Sequence, residues 1–166
     1  MVKNITIPSA LTWIPNRIYA MLLLLLCFLL INTTPVVAAN FSGDLLKHPA
    51  TETIVSLGNS ANELKFEPNR LEFLAGKRYT LHLTNPSQLK HYFTAKDFAD
   101  GIWTQKVQAG KVEIKGAIHE LELKPGAEAE WMFVPLKSGK YTLRCTIPGH
   151  AEAGMMGELV IGNQKV

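Results

Sequence analysis

Residues 141–161 read YTLRCTIPGHAEAGMMGELVI. Alternation in the first half places Tyr141, Leu143 and Cys145 on one face of a strand, with the thiol at the strand's inward end. TIPG then forms a turn, His150 follows, and AEAG leads to Met155 and Met156 before Gly157 opens a second alternating run. Two strands and a connecting loop are expected here, and the loop carries a thiol, an imidazole and two thioethers.

Upstream, the same period of two recurs. TETIVSLG (51–58) alternates, NELKFEPNRLEFLAG (62–76) alternates twice around a Pro-Asn turn, and KRYTLHLTN (77–85) sets Tyr79, Leu81 and Leu83 against Thr80, His82 and Thr84. KHYFTA, KVEIKG, IHELELKPG, EAEWMFVP and MGELVIGN continue the series, with Gly and Pro at nearly every junction. KDFADGIWTQKVQAG (96–110) has no clean alternation, so one or two helical turns are expected there. Short strands at this spacing, with no long amphipathic helix, predict an all-β fold: a Greek-key β-sandwich or barrel of seven or eight strands. Trp103, Trp131 and Phe133 are expected to pack in the core or in the 96–116 insertion.

The amino terminus is different in kind. Ala20 to Ile31 reads AMLLLLLCFLLI, preceded by Lys3 and Arg17 without an acidic residue and followed by Val37 and Ala39 at the positions a signal peptidase reads. Residues 1–39 are therefore expected to be an export signal cleaved after Ala39, since the apolar run is shorter than the ~20 residues that span a bilayer. Residues 40–166 form one domain in this reading. Cys27 falls in the signal, which leaves Cys145 as the lone cysteine of an exported chain, where a free thiol calls for an occupant. Subtracting Lys3 and Arg17 from the 17 basic residues leaves 15 against 14 acidic ones, a near-neutral surface that gives no support for nucleic-acid binding.

Cys145, His150 and Met155 are three donors of a kind that one soft metal centre uses. A mononuclear copper site takes two imidazoles and a thiolate in a near-trigonal plane, with a weak axial thioether. The fourth donor has to be a histidine from elsewhere. His91 is the strongest candidate, because it directly follows the Pro86 turn at the start of a short apolar strand. His82 lies on the polar face of its strand, His119 sits in a charged run beside Glu120 and Glu122, and His48 belongs to an irregular lead-in. Structural zinc prefers more thiolates than this chain offers and rarely uses a thioether.

HYF at 91–93 with CTIPGHAEAGMMG at 145–157 resembles the cupredoxins, small exported blue copper proteins, and the CxxxxHxxxxM spacing is similar to the auracyanin and rusticyanin members. FEPNRLEFLAGKRYTLHLTN also resembles that family's earlier strands. The resemblance implies a single copper ion cycling between Cu(I) and Cu(II), with His91, Cys145 and His150 as equatorial ligands. It implies Met155 as axial ligand, with Met156 as its neighbouring rival. Several relatives carry Asn directly after the first histidine, where it ties that strand to the ligand loop. Here Tyr92 stands in that place, which leaves Thr146 and Asn85 as candidates for the tie.

The function implied is one-electron carriage in the periplasm or thylakoid lumen, by a monomer meeting transient partners such as a cytochrome or an oxidase. Ile147, Pro148, Ala151, Ala153 and Met156 would ring His150 as a docking patch, with Lys90 and Glu152 as steering charges. The resemblance speaks against an enzyme. Multicopper oxidases flank the cysteine with histidines, whereas Cys145 lies between Arg144 and Thr146, and a binuclear centre needs two cysteines. The alternative is copper tolerance or delivery, for which extra Met or His clusters would be expected; besides the loop pair, the mature chain has only Met132.

Overall fold

The computed structural model describes residues 49–163, together with Met21. The expected export signal and His48 lie outside the described residues. In chain order the elements are β1 (Thr51–Leu57), β2 (Phe66–Glu67), β3 (Arg70–Leu74), β4 (Tyr79–Thr84), β5 (His91–Thr94) and the one-turn helix α1 (Lys96–Ala99). There follow β6 (Ile102–Ala109), β7 (Val112–Ile114), β8 (Glu120–Leu123), β9 (Glu128–Pro135), β10 (Gly139–Arg144) and β11 (Met156–Gly162).

They form two sheets, one ordered β2-β1-β4-β9-β6-β7 and the other β3-β11-β10-β5-β8. Most pairings are antiparallel, but β1 runs parallel to β4 and β11 parallel to β3. The all-β expectation holds, with eleven strands among the described residues in place of seven or eight. The 62–76 stretch supplies β2 and β3 on either side of Pro68, as its double alternation implies, and β6, which lies outside the expected strands, forms a hairpin with β7. Sequence periodicity misses β6 because its pairing with β9 shifts between Thr104 and Lys106. Such a bulge flips the alternation midway along a strand. Only α1 answers the helical expectation for that segment.

Alternating side chains fill the space between the sheets. Val55, Leu57, Leu81 and Leu83 come from one sheet and Leu71, Phe73, Phe93, Leu143 and Leu159 from the other, all buried. Trp131 lies at the centre, with Phe93, Phe98 and Phe133 at ring-centroid distances of 5.9, 6.2 and 5.8 Å. The Phe93 and Phe98 pairs are edge-to-face, and such pairs each add about 0.5–1.5 kcal/mol beyond area burial. Trp131 and Phe133 thus meet the core expectation. Trp103 meets the other half of that expectation: it lies in the 96–116 insertion, 43% exposed on the outward phase of β6 before the bulge, in a shallow cleft with Lys115 and Gly116.

β10 and β11 pair from Gly139↔Ile161 to Arg144↔Met156, and Arg144 also pairs with Thr94 of β5. The chain leaving β10 after Arg144 therefore runs beside β5, toward His91 at that strand's start. Topology alone brings the quoted loop and the distant histidine to one end of the sandwich.

Gly157 is required for that arrangement. A Cβ there would lie 2.4 Å from the backbone oxygen of Asn69, which also accepts the Glu158 N–H at 2.8 Å. A backbone carbonyl in a parallel strand pair has little room to retreat. Gly157→Ala should lower unfolding stability by about 1–3 kcal/mol, as overpacked sites do. Gly162→Ala, whose Cβ would meet Leu74 Cδ2 at 3.5 Å and the Phe73 carbonyl oxygen at 3.8 Å, both ordinary contact distances, should stay within about 0.5 kcal/mol of the parent. Urea titrations of the two variants check the contrast.

Candidate metal centre

Cys145 follows β10 directly, so the inward phase of that strand carries into the thiol, which is 1% exposed. The loop beyond it closes on itself through backbone bonds. Cys145 N–H donates to the Met155 carbonyl (3.1 Å), Met155 N–H to the His150 carbonyl (2.9 Å), and His150 N–H to the Ile147 carbonyl (3.0 Å). Gly149 and Gly154, at φ 84° and 109°, take the left-handed bends this closure needs.

His91 starts β5 and is fully buried. Its donor atom and those of Cys145 and His150 all lie within 4.8 Å of one another. His150 Nδ1 stands 3.5 Å from Cys145 Sγ, and the two imidazole rings have centroids 5.3 Å apart. His91 Nε2 meets Ser87 Oγ at 3.1 Å, whereas buried His91 Nδ1 has no hydrogen-bond partner. A buried polar atom left this way costs about 1–3 kcal/mol unless something occupies it. Burial first, and the neighbouring His150 second, hold the His91 pKa below the usual imidazole value. Both causes favour the neutral ring, the form that offers a lone pair to a metal. The residues present therefore fit a soft or borderline metal ion.

Met155 is fully buried, while its neighbour Met156 is 45% exposed. Met156 opens β11 opposite Arg144 and lines a surface cleft with Thr94, Lys96, Asp97, Thr142 and Arg144. Of the two thioethers, the one turned into the protein beside the loop is Met155.

The tie expected near Tyr92 is divided among several groups. Tyr92 N–H donates to Cys145 Sγ at 3.4 Å, a bond suited to a thiolate. Its phenol turns to the surface and donates to the Glu122 carboxylate. The strand-to-loop clamp comes from Glu120, whose carboxylate accepts from Thr94 Oγ1 (2.7 Å) and Thr146 Oγ1 (2.9 Å), the two hydroxyls being 3.3 Å apart. Thr146 thus takes part as expected. Asn85 instead braces the turn before His91: its Nδ2 donates to the carbonyls of Leu89 and Leu123, both at 2.8 Å.

The other described histidines, His82 and His119, stay away from the loop. His82 lies between Glu52 and Glu130, 3.6 Å from each, and His119 contacts Asp100 at 2.7 Å on the surface. Around His150, Ile147 and Ala151 are half-buried while Pro148 and Ala153 are exposed. Met156 leaves that ring for its cleft, and Lys90 is paired with Glu122 at 3.5 Å. Sequence reasoning missed Ser87, Glu120 and Thr94. Ser87 reads as an ordinary turn former, and Glu120 lies 26 residues from each threonine it joins.

Comparison with known proteins gives the donor set its context. Over 128 residues the chain is 26% identical to the copper-resistant cuproprotein CopI of Rubrivivax gelatinosus, covering 72% of this chain and 70% of that one. Among solved structures, the copper-containing nitrite reductase of Thermus scotoductus SA-01 aligns with a TM-score of 0.53 at 16% identity, over 71% of this chain and 32% of that one. Reduced auracyanin from Roseiflexus castenholzii aligns with a TM-score of 0.49 at 18% identity, over 69% and 99%. The model of the copper binding proteins of the plastocyanin/azurin family matches residues 53–162, which contain all of the assembled donors. This chain belongs to that family of copper-binding proteins, the cupredoxins.

Proposed function

We propose that the protein is an exported one-electron carrier whose single copper ion is held by His91, Cys145, His150 and Met155. The observation that carries the reading is the bare, buried Nδ1 of His91, on a ring that brings a donor atom within 4.8 Å of those of Cys145 and His150. Two imidazoles, a thiolate and a weak thioether suit both Cu(II) and Cu(I), so a change of oxidation state needs little movement of the donors. The chain's own part is to hold them: the loop's backbone bonds fix Cys145, His150 and Met155, and β5 fixes His91. His150 is the half-exposed member, and the apolar residues at its edge suit brief encounters with a redox partner of the cytochrome or oxidase kind. Carriage without catalysis, action as a monomer, and export to the periplasm or thylakoid lumen belong to the same proposal.

A second reading, copper tolerance or delivery, is favoured by the similarity to a copper-resistance protein. Against it, His91, Cys145 and His150 are the one group of three or more His, Cys, Asp or Glu donors close enough to share an ion among the described residues. That leaves no separate acquisition cluster of those types there. Electron exchange between the copper-loaded protein and a soluble c-type cytochrome separates the readings: exchange faster than respiratory turnover is expected. Slow exchange, together with copper sensitivity on deletion of the gene, would favour tolerance.

Titration of the purified mature domain with Cu(II) should raise an intense blue thiolate-to-copper band at one equivalent. Cys145→Ser should abolish it; a colourless parent, or colour persisting in the variant, would refute the assignment. The axial position has its own test. Met155→Leu should raise the reduction potential, because Cu(II), the more highly charged state, loses more when a donor is removed from a dry pocket. Met156→Leu, altering an exposed side chain in a separate cleft, should leave potential and spectrum as they were.

A further inference from the structure

We propose that Ser87 is a positioning residue for the metal: its hydroxyl holds His91 in the tautomer that keeps Nδ1 bare as a donor. This rests on the copper-centre reading above and adds the group that orients its most deeply buried imidazole.

The argument is one of satisfiability. A serine hydroxyl has one hydrogen to give and two lone pairs to offer. One lone pair of Ser87 Oγ is taken by the Leu89 N–H at 2.8 Å. Besides His91 Nε2 itself, two partners are in reach of its hydrogen, Asn62 Oδ1 at 3.2 Å and the Leu89 carbonyl at 3.3 Å. Both are acceptors only. The Asn62 atom is identified as oxygen because the Gln88 backbone N–H donates to it at 2.7 Å. When either takes the hydrogen, it points away from His91 and the remaining lone pair faces Nε2 at 3.1 Å; the reverse arrangement would put the ring proton on Nδ1, a buried N–H with no acceptor. Nε2 therefore carries the imidazole proton in the neutral ring, and Nδ1 is left with a free lone pair.

The surroundings fix the pair in place. Ser87 and His91 are both fully buried. Gly58, at φ 75°, packs behind them so closely that a Cβ there would lie 2.9 Å from His91 Nε2 and 3.1 Å from Ser87 Cβ. Asn62 is itself held in the left-handed region, at φ 60°, by its N–H to the Asn59 carbonyl. The 58–63 loop, the 85–89 turn and β5 thus meet on one hydroxyl.

The test uses wild-type protein first. In the metal-free, 15N-labelled protein at neutral pH, long-range 15N–1H correlations of His91 should show a protonated Nε2 and a bare Nδ1. A protonated Nδ1, or an even mixture, overturns the proposal without any substitution. In Ser87→Ala the buried Nε2–H loses its acceptor. Mixed tautomers, an altered reduction potential and a Cu(I) affinity about 10–100-fold weaker are expected, with exposed Ser60→Ala unchanged. An affinity in folded Ser87→Ala within twofold of the parent also overturns it. The two readings fail separately: absence of copper uptake by the parent sinks the metal centre, while a wrong tautomer with normal uptake sinks the role of Ser87 alone.

Discussion

The arrangement of this end of the sandwich turns on one nitrogen. His91 Nδ1 is buried without a hydrogen-bond partner, in a site where neighbouring polar groups are provided for. Leaving such an atom bare costs about 1–3 kcal/mol, which a small domain of marginal stability does not carry idly. Desolvation keeps the ring neutral and so preserves the lone pair that makes the nitrogen a ligand. The cost in the metal-free fold and the affinity for a metal ion are two views of the same unsatisfied atom.

The scaffold around that nitrogen fixes the donors by backbone and by cross-strand bonds instead of by long flexible side chains. Cys145 and Met155 are tied through one N–H to carbonyl bond, and His150 is tied to Met155 by the next. The Glu120 carboxylate fastens Thr94 to Thr146 and so β5 to the chain leaving β10. Donors held in this way before any metal arrives do not have to be gathered when it binds, nor moved when it changes charge. The stiffness comes from placing the loop between β10 and β11, which pair from Gly139↔Ile161 to Arg144↔Met156, and it is what the proposed one-electron carriage would require.

How much of this was legible in the sequence depended on whether the information was local. Alternation through Tyr141, Leu143 and Cys145 was enough to place the thiol inward, and the Pro86 turn before a short apolar strand singled out His91. β6 was hidden because its bulge reverses the phase that alternation relies on. Glu120 read as part of a charged edge, since its partners come from two other parts of the chain. Ser87 looked like any turn serine, because a hydroxyl four residues before a histidine has no meaning until the turn folds back.

The same geometry bears on what the centre is for. His91, Cys145 and Met155 are almost wholly shielded, so the half-open side of the donor set is at His150, among Ile147, Pro148 and Ala151. Metal entry and electron exit would have to share that edge. A protein that gathers copper gains from an edge that opens readily, whereas a carrier gains from one that stays closed while a partner rests on it. The loop's closure through Cys145, His150 and Met155 backbone bonds makes opening costly, because freeing His150 would break bonds that also seat the thiol and the buried thioether. Under the electron-carrier proposal, this coupling corresponds to a centre loaded once and used many times.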